Sequence, residues 1–143
     1  MPLYLALDPG KLRVGVAISD ASGTLACPLA VIPRKPHGTF IQAIRTLFFE
    51  HSPDFLVVGL PLQLDGTVGK EAQRALSLAS ELATLFNIQV FTEDESYSTS
   101  EALEILTENH KNPSKRTPRV DQVSAAVILQ RFLHKKLPLT PKV

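Results

Sequence analysis

Cysteine is almost missing from this chain. Its 143 residues include one, Cys27, so no internal disulfide framework can form and a reducing, cytoplasmic setting is expected. Composition alone makes Cys27 a small buried hydrophobe rather than a nucleophile. Tryptophan is absent and tyrosine occurs twice, which leaves few flat side chains on which a base can stack; Tyr97 is the one beside an acidic cluster. The longest near-continuous apolar run, Phe55–Leu62, is far short of the ~20 residues of a membrane span, so no membrane partner is expected. No basic segment followed by an apolar stretch opens the sequence, and no signal peptide is expected. What remains is an ordinary globular mixture, 44% hydrophobic and 20% charged. It suits one domain, expected over residues 1–137, followed by a short tail at 138–143.

The small net charge of +1 hides an asymmetry. Residues 1–110 carry 7 Lys plus Arg against 13 Asp plus Glu, whereas residues 111–143 carry 8 against 1. A basic C-terminal end fits an anionic partner, and a solvated helix face would look the same.

The first third reads as three strands, Leu3–Asp8, Arg13–Ser19 and Thr24–Ile32. The short spacers between them favour an antiparallel meander, and Pro28 marks the third as an edge or bulged strand. The period then changes. Gly38–His51 has helical spacing, Asp54–Leu60 is an apolar strand buried on both faces, and Thr67–Phe86 is a long amphipathic helix with Asp65-Gly66-Thr67 as its turn and N-cap. Ile88–Thr92 is a last strand. Ser98–Glu108 is a helix, 109–117 a polar basic loop, and Arg119–Lys136 the final helix. Three strands followed by alternating helices and strands give an α/β fold with a mixed sheet and helices on its faces.

Three acidic positions stand out by place. Asp8 closes the first strand, and Asp94 with Glu95 follows the last, where ligand sites lie in sheets with parallel strands. Asp121 falls between Ile128 and Phe132 on the apolar stripe of the final helix, where an unpaired charge would cost several kcal/mol. A place in the first helical turn, where the macrodipole favours an anion, is the competing account. Carboxylates from three elements suit a hard cation such as Mg²⁺, and two such ions ~4 Å apart promote phosphodiester hydrolysis. Scattered histidines at 37, 51, 110 and 134 offer no zinc spacing, and Asp65–Lys70 lacks the phosphate-loop pattern. Ser98 and Thr99 have no neighbouring base to make either a nucleophile. Gly59 leaves room for a ligand to approach the backbone, or simply ends a strand. Lys115, Arg116 and Arg119, with Arg131, Lys135 and Lys136 beyond, would supply phosphate contacts.

Four segments, in order, carry a resemblance. Leu5-Ala-Leu-Asp8-Pro-Gly10 with Arg13–Asp20, Val57–Leu62 with Asp65-Gly-Thr67, Asp94-Glu95 with Ser98-Thr99, and Val120-Asp121 with Ser124–Leu129 resemble the YqgF family of RNase H-like proteins. That family is described as Holliday-junction resolvases or nucleases that process pre-16S ribosomal RNA. The resemblance implies a three-layer RNase H-like fold with a five-stranded sheet of order 3-2-1-4-5, strand 2 antiparallel. It implies Asp8, Glu95 and Asp121 as catalytic, metal-binding acids, with Asp94 as a further ligand and Mg²⁺ or Mn²⁺, two ions, as cofactor. It matches Arg13 to a nucleic-acid contact. The expected partner is RNA, branched DNA or both, bound by a monomer or homodimer. Ser96 stands where the family has Arg, which removes a rigid donor and motivates an alternative: a non-catalytic nucleic-acid-binding module of ribosome assembly or transcription. A phosphate-binding lobe of an actin-like ATPase is a third reading, but such proteins need two lobes.

Overall fold

A computed structural model of the chain describes residues 2–61, 67–94 and 118–136, with the side chains of 123–135 described in the last stretch. The elements are β1 (Tyr4–Pro9), β2 (Arg13–Ser19), β3 (Ala26–Pro33), α1 (His37–His51), β4 (Phe55–Leu60), α2 (Lys70–Phe86), β5 (Gln89–Asp94) and α3 (Pro118–Lys136). They form one sheet of order β3-β2-β1-β4-β5. β2 runs antiparallel to both neighbours, and β1, β4 and β5 are parallel. Because β3 is antiparallel to β2, it points the same way as β1. Four of the five strands therefore end at one edge.

Alternation along each strand sorts side chains to two faces. Leu5, Leu7, Val14, Val16, Leu56 and Val58 meet Phe40, Ile41 and Ile44 of α1 and Ala75, Leu78 and Leu82 of α2. Tyr4, Ala6, Ala17 and Val57 meet Ala125, Ile128, Leu129, Phe132 and Leu133 of α3. The result is three layers, with α3 alone on its face among the described residues. Tyr4, Phe55, Phe91 and Phe132 form a ring cluster there, with centroids 5.3–5.6 Å apart. Gln130 clamps α3 to the start of β3: its Nε2 donates to Thr24 O and its Oε1 accepts from Ala26 N, both at 2.9 Å.

Several expectations need correction. α2 begins at Lys70, not Thr67, with Gly69 as its extended N-cap, because β-branched Val68 and Gly69 are poor helix starters. β3 starts and ends later than its apolar run suggests, and its pairing with β2 slips between Val16 and Ala17, opposite Pro28 and Ala30. β5 extends to Asp94, because Gly59 and Leu60 of β4 pair with Glu93 and Asp94 and carry the ladder past Thr92. Cys27 is exposed rather than buried. It pairs with Ile18 at the outer edge of the sheet, where helix cover thins out. The expected helix 98–108 and Tyr97 lie outside the described residues. None of the helices among the described residues is long and apolar enough to cross a membrane.

Candidate active site

The carboxyl edge of the sheet holds the chemistry. Asp8, the fifth residue of β1, is half-buried. It follows Tyr4 and Ala6 in alternation, so it belongs to the face covered by α3. Opposite it on β2 is Gly15. On the other side, Leu7 pairs with Val58, so the next residue of β4, Gly59, flanks Asp8. Both neighbours lack a side chain, so no Cβ crowds the Asp8 carboxylate from either strand. Gly59 and Gly15 are themselves buried, so the edge beside Asp8 lies within the covered face of the sheet.

Arg13 opens β2 two residues from Gly15 and lies on the same face, diagonal to Asp8. The turn between them is tight: Gly10 N donates to Arg13 O at 2.9 Å, and a Cβ on Gly10 would lie 2.8 Å from that oxygen. Only glycine fits there without a shift of backbone.

β5 contributes acids to both faces. Glu93 follows Phe91 in alternation and lies on the α3 face, 2% exposed. Asp94 is exposed and belongs by alternation to the opposite face. Lys135 Nζ lies 2.8 Å and Arg131 Nε 3.9 Å from Glu93 Oε2. Among the described residues no donor is aligned for a hydrogen bond to that oxygen, so the contact with Lys135 is one of charge and proximity. Sequence reasoning passed over Glu93. The signal was there: an acid two residues after Phe91 on an apolar face, and cations four apart at 131 and 135.

Glu95, Lys115 and Arg116 lie outside the described residues, and so do the side chains of Arg119 and Asp121. The backbone of Asp121 is in the first turn of α3, the helix that covers the Asp8 face. The structure therefore brings Asp8, Arg13 and Glu93 to one face with α3, and separates Asp94 from them. The donors at this edge are carboxylate oxygens, with no cysteine or histidine beside them among the described residues. Carboxylate oxygen is the donor type a hard cation such as Mg²⁺ or Mn²⁺ takes, and among the described residues no three such side chains are gathered into one cluster.

The strand order, the single antiparallel strand and the acid closing the central strand define an RNase H-like fold. Solved structures share it. Thermus thermophilus RuvC in complex with a Holliday junction substrate superposes with a TM-score of 0.57 at 14% identity, over 96% of each chain. The Fowlpox virus resolvase with its Holliday junction DNA superposes with a TM-score of 0.54 at 10% identity, over 94% of this chain and 99% of the other.

Within that fold class, the chain belongs to the RuvX family, described as Holliday junction resolvase, whose model matches residues 2–135. A relative from a Roseiflexus species is 39% identical over 129 residues, 90% of this chain and 92% of its own. Another from Dehalococcoides mccartyi is 37% identical over 129 residues, 90% and 96% of the two chains. Both carry the name "Putative pre-16S rRNA nuclease". The family is one of nucleases.

Proposed function

We propose that this protein is a metal-dependent nuclease of structured nucleic acid, acting in the cytoplasm on the 5′ end of precursor 16S rRNA, with Asp8, Glu95 and Asp121 as its carboxylate set. The observation that carries the reading is Asp8, a half-buried acid between Gly15 and Gly59 at the end of the central strand. Its family supports the same chemistry.

Asp8, Glu95 and Asp121 would hold Mg²⁺ or Mn²⁺. A bound divalent ion supplies charge neutralisation at the phosphate and a water acidified for attack. The chain's own part is to position. The β1 backbone fixes Asp8 at the end of the central strand, Gly15 and Gly59 put no side chain beside it, and Arg13 would bring a cation to the phosphate on the same face. Lys115, Arg116 and Arg119 add backbone contacts that set affinity without reading sequence. The opposite-face position of Asp94 argues for Glu95 over Asp94 as the second acid.

The test is a cleavage assay on a precursor-rRNA stem and a four-way DNA junction, with Mg²⁺, Mn²⁺ or EDTA, using wild type and Asp8→Asn. Metal-dependent cutting of the precursor-rRNA stem that EDTA and Asp8→Asn abolish supports the reading, whereas such cutting of the DNA junction alone keeps the nuclease and overturns the rRNA substrate. Binding without cutting in every metal sinks it and leaves the non-catalytic binding module.

A further inference from the structure

A polar concavity lies on the face opposite Asp8. α1 follows β3 and α2 follows β4, so both helices start at the same carboxyl edge. Between their N-terminal halves is an open groove of about 410 Å³. Three cations line it, Arg34, Lys70 and Arg74, against one carboxylate, Glu81. Glu81 is already engaged: His37 Nε2 lies 2.8 Å from its Oε2 across the two helices. Arg74 pairs with Glu71 at 3.2 Å on the surface, a solvent-screened contact readily exchanged for a phosphate. Lys70 has no acidic partner among the described residues. The first turns of α1 and α2 have no side-chain cap, so their positive ends add to the same field.

The groove is joined to the Asp8 edge. Arg34 Nη1 donates to Gly10 O at 2.6 Å, and Gly10 is two residues past Asp8. Leu78 is the one apolar side chain in the lining, so the groove offers charge without a stacking platform. Such a surface positions backbone phosphates rather than bases.

We infer that this groove binds the phosphate backbone of the nucleic acid whose scissile bond sits at Asp8, holding the stretch that passes over the β1–β2 turn. The inference rests on the nuclease reading and extends it to a contact surface built from residues other than Lys115, Arg116 and Arg119. A free nucleotide carries the same phosphate chemistry, and the experiment separates the two.

Lys70→Ala/Arg74→Ala changes two exposed side chains, and a melting curve checks that the variant folds. Binding of an RNA stem with a single-stranded extension is titrated from 50 to 200 mM KCl in the Asp8→Asn background. The double variant should bind roughly tenfold more weakly near 0.1 M salt, with a slope of log K against log[salt] shallower by about 1.4–1.8. Lys70→Arg/Arg74→Lys should restore both. Single-turnover cleavage at saturation should stay at the wild-type rate. An unchanged slope and affinity overturns the inference while leaving the nuclease reading intact. Calorimetric binding of ATP or inorganic phosphate that the variant loses, with RNA affinity unchanged, overturns it in favour of a mononucleotide site. Failure of the wild-type chain to bind or cut any nucleic acid overturns both.

Discussion

Lys135 reaches from the last turn of α3 to within 2.8 Å of Glu93, an acid 3% exposed on the edge strand β5. The pair ties the final helix to the strand that leads into Glu95. Its members differ in exposure, since the Lys135 side chain is 60% accessible and gains little by being paired. The energetic weight therefore lies with the carboxylate, which needs a cation nearby.

Removing Lys135 should thus cost more than neutralising Glu93. Lys135→Ala leaves a buried carboxylate with Arg131, at 3.9 Å, as its remaining cation among the described residues. We expect a loss of about 1–3 kcal/mol, below the 3–5 of a fully buried pair. Glu93→Gln should cost less, and the double variant should recover part of the Lys135→Ala loss. Urea unfolding of the four proteins closes the cycle, and additive losses would show that the two residues do not interact.

Asp8→Asn keeps shape and removes charge. Cleavage should fall by at least about 10²–10³-fold, while thermal stability stays near wild type because the carboxylate is only half-buried. A large drop in melting temperature would instead assign Asp8 a structural role.

Gln130 makes two hydrogen bonds, to Thr24 O and Ala26 N, across 106 and 104 residues of chain. Gln130→Ala should destabilise by about 1–3 kcal/mol, since both backbone groups lose partners in a partly buried place. Hydrogen exchange at the Ala26 amide is the local readout, and unchanged protection there would contradict the clamp.

The turn between β2 and β3 should be acid-sensitive. The Asp20 carboxylate accepts from the backbone N–H groups of Leu25 and Thr24 and from the Ser22 hydroxyl, while its main-chain carbonyl accepts from the Gly23 amide. These bonds, Leu25 first, hold its carboxyl below the ordinary value of 3.8. A lowered native pKa stabilises the fold above the unfolded value and is lost as pH falls through the native one. Asp20→Asn should lower stability at neutral pH by the contribution of the ionised carboxyl, leave stability at strongly acid pH little changed, and so flatten the profile below about pH 4. Parallel acid profiles for variant and wild type would rule the contribution out.

The elements themselves were legible because periodicity is local. The meander, the twice-buried β4 and the amphipathic α2 all follow from patterns within a few residues. The strand order is not local. β1 pairs with β4 across some fifty residues, and no period records that; it came from the resemblance. Asp8 was visible as an acid ending a run of alternating leucines. Asp121 was visible as a charge on an apolar stripe. Glu93 was missed because three consecutive acids look like a loop, whereas the ladder to Gly59 holds the first two in the strand and splits them between faces. The basic groove was hidden because its cations, at 34, 70 and 74, come together only when α1 and α2 pack.

Coverage of one sheet face by α3, alone there among the described residues, has a consequence during synthesis. The ribosome delivers β1 to β5, with α1 and α2, before the helix that seals the other side. For that interval Tyr4, Phe55 and Phe91 stand uncovered, a sticky surface on a half-built protein. Asp121 arrives with the same helix. On the proposed carboxylate set, closing the hydrophobic layer and delivering the third acid would be one event, protecting a nascent chain from both aggregation and premature cutting at the same moment.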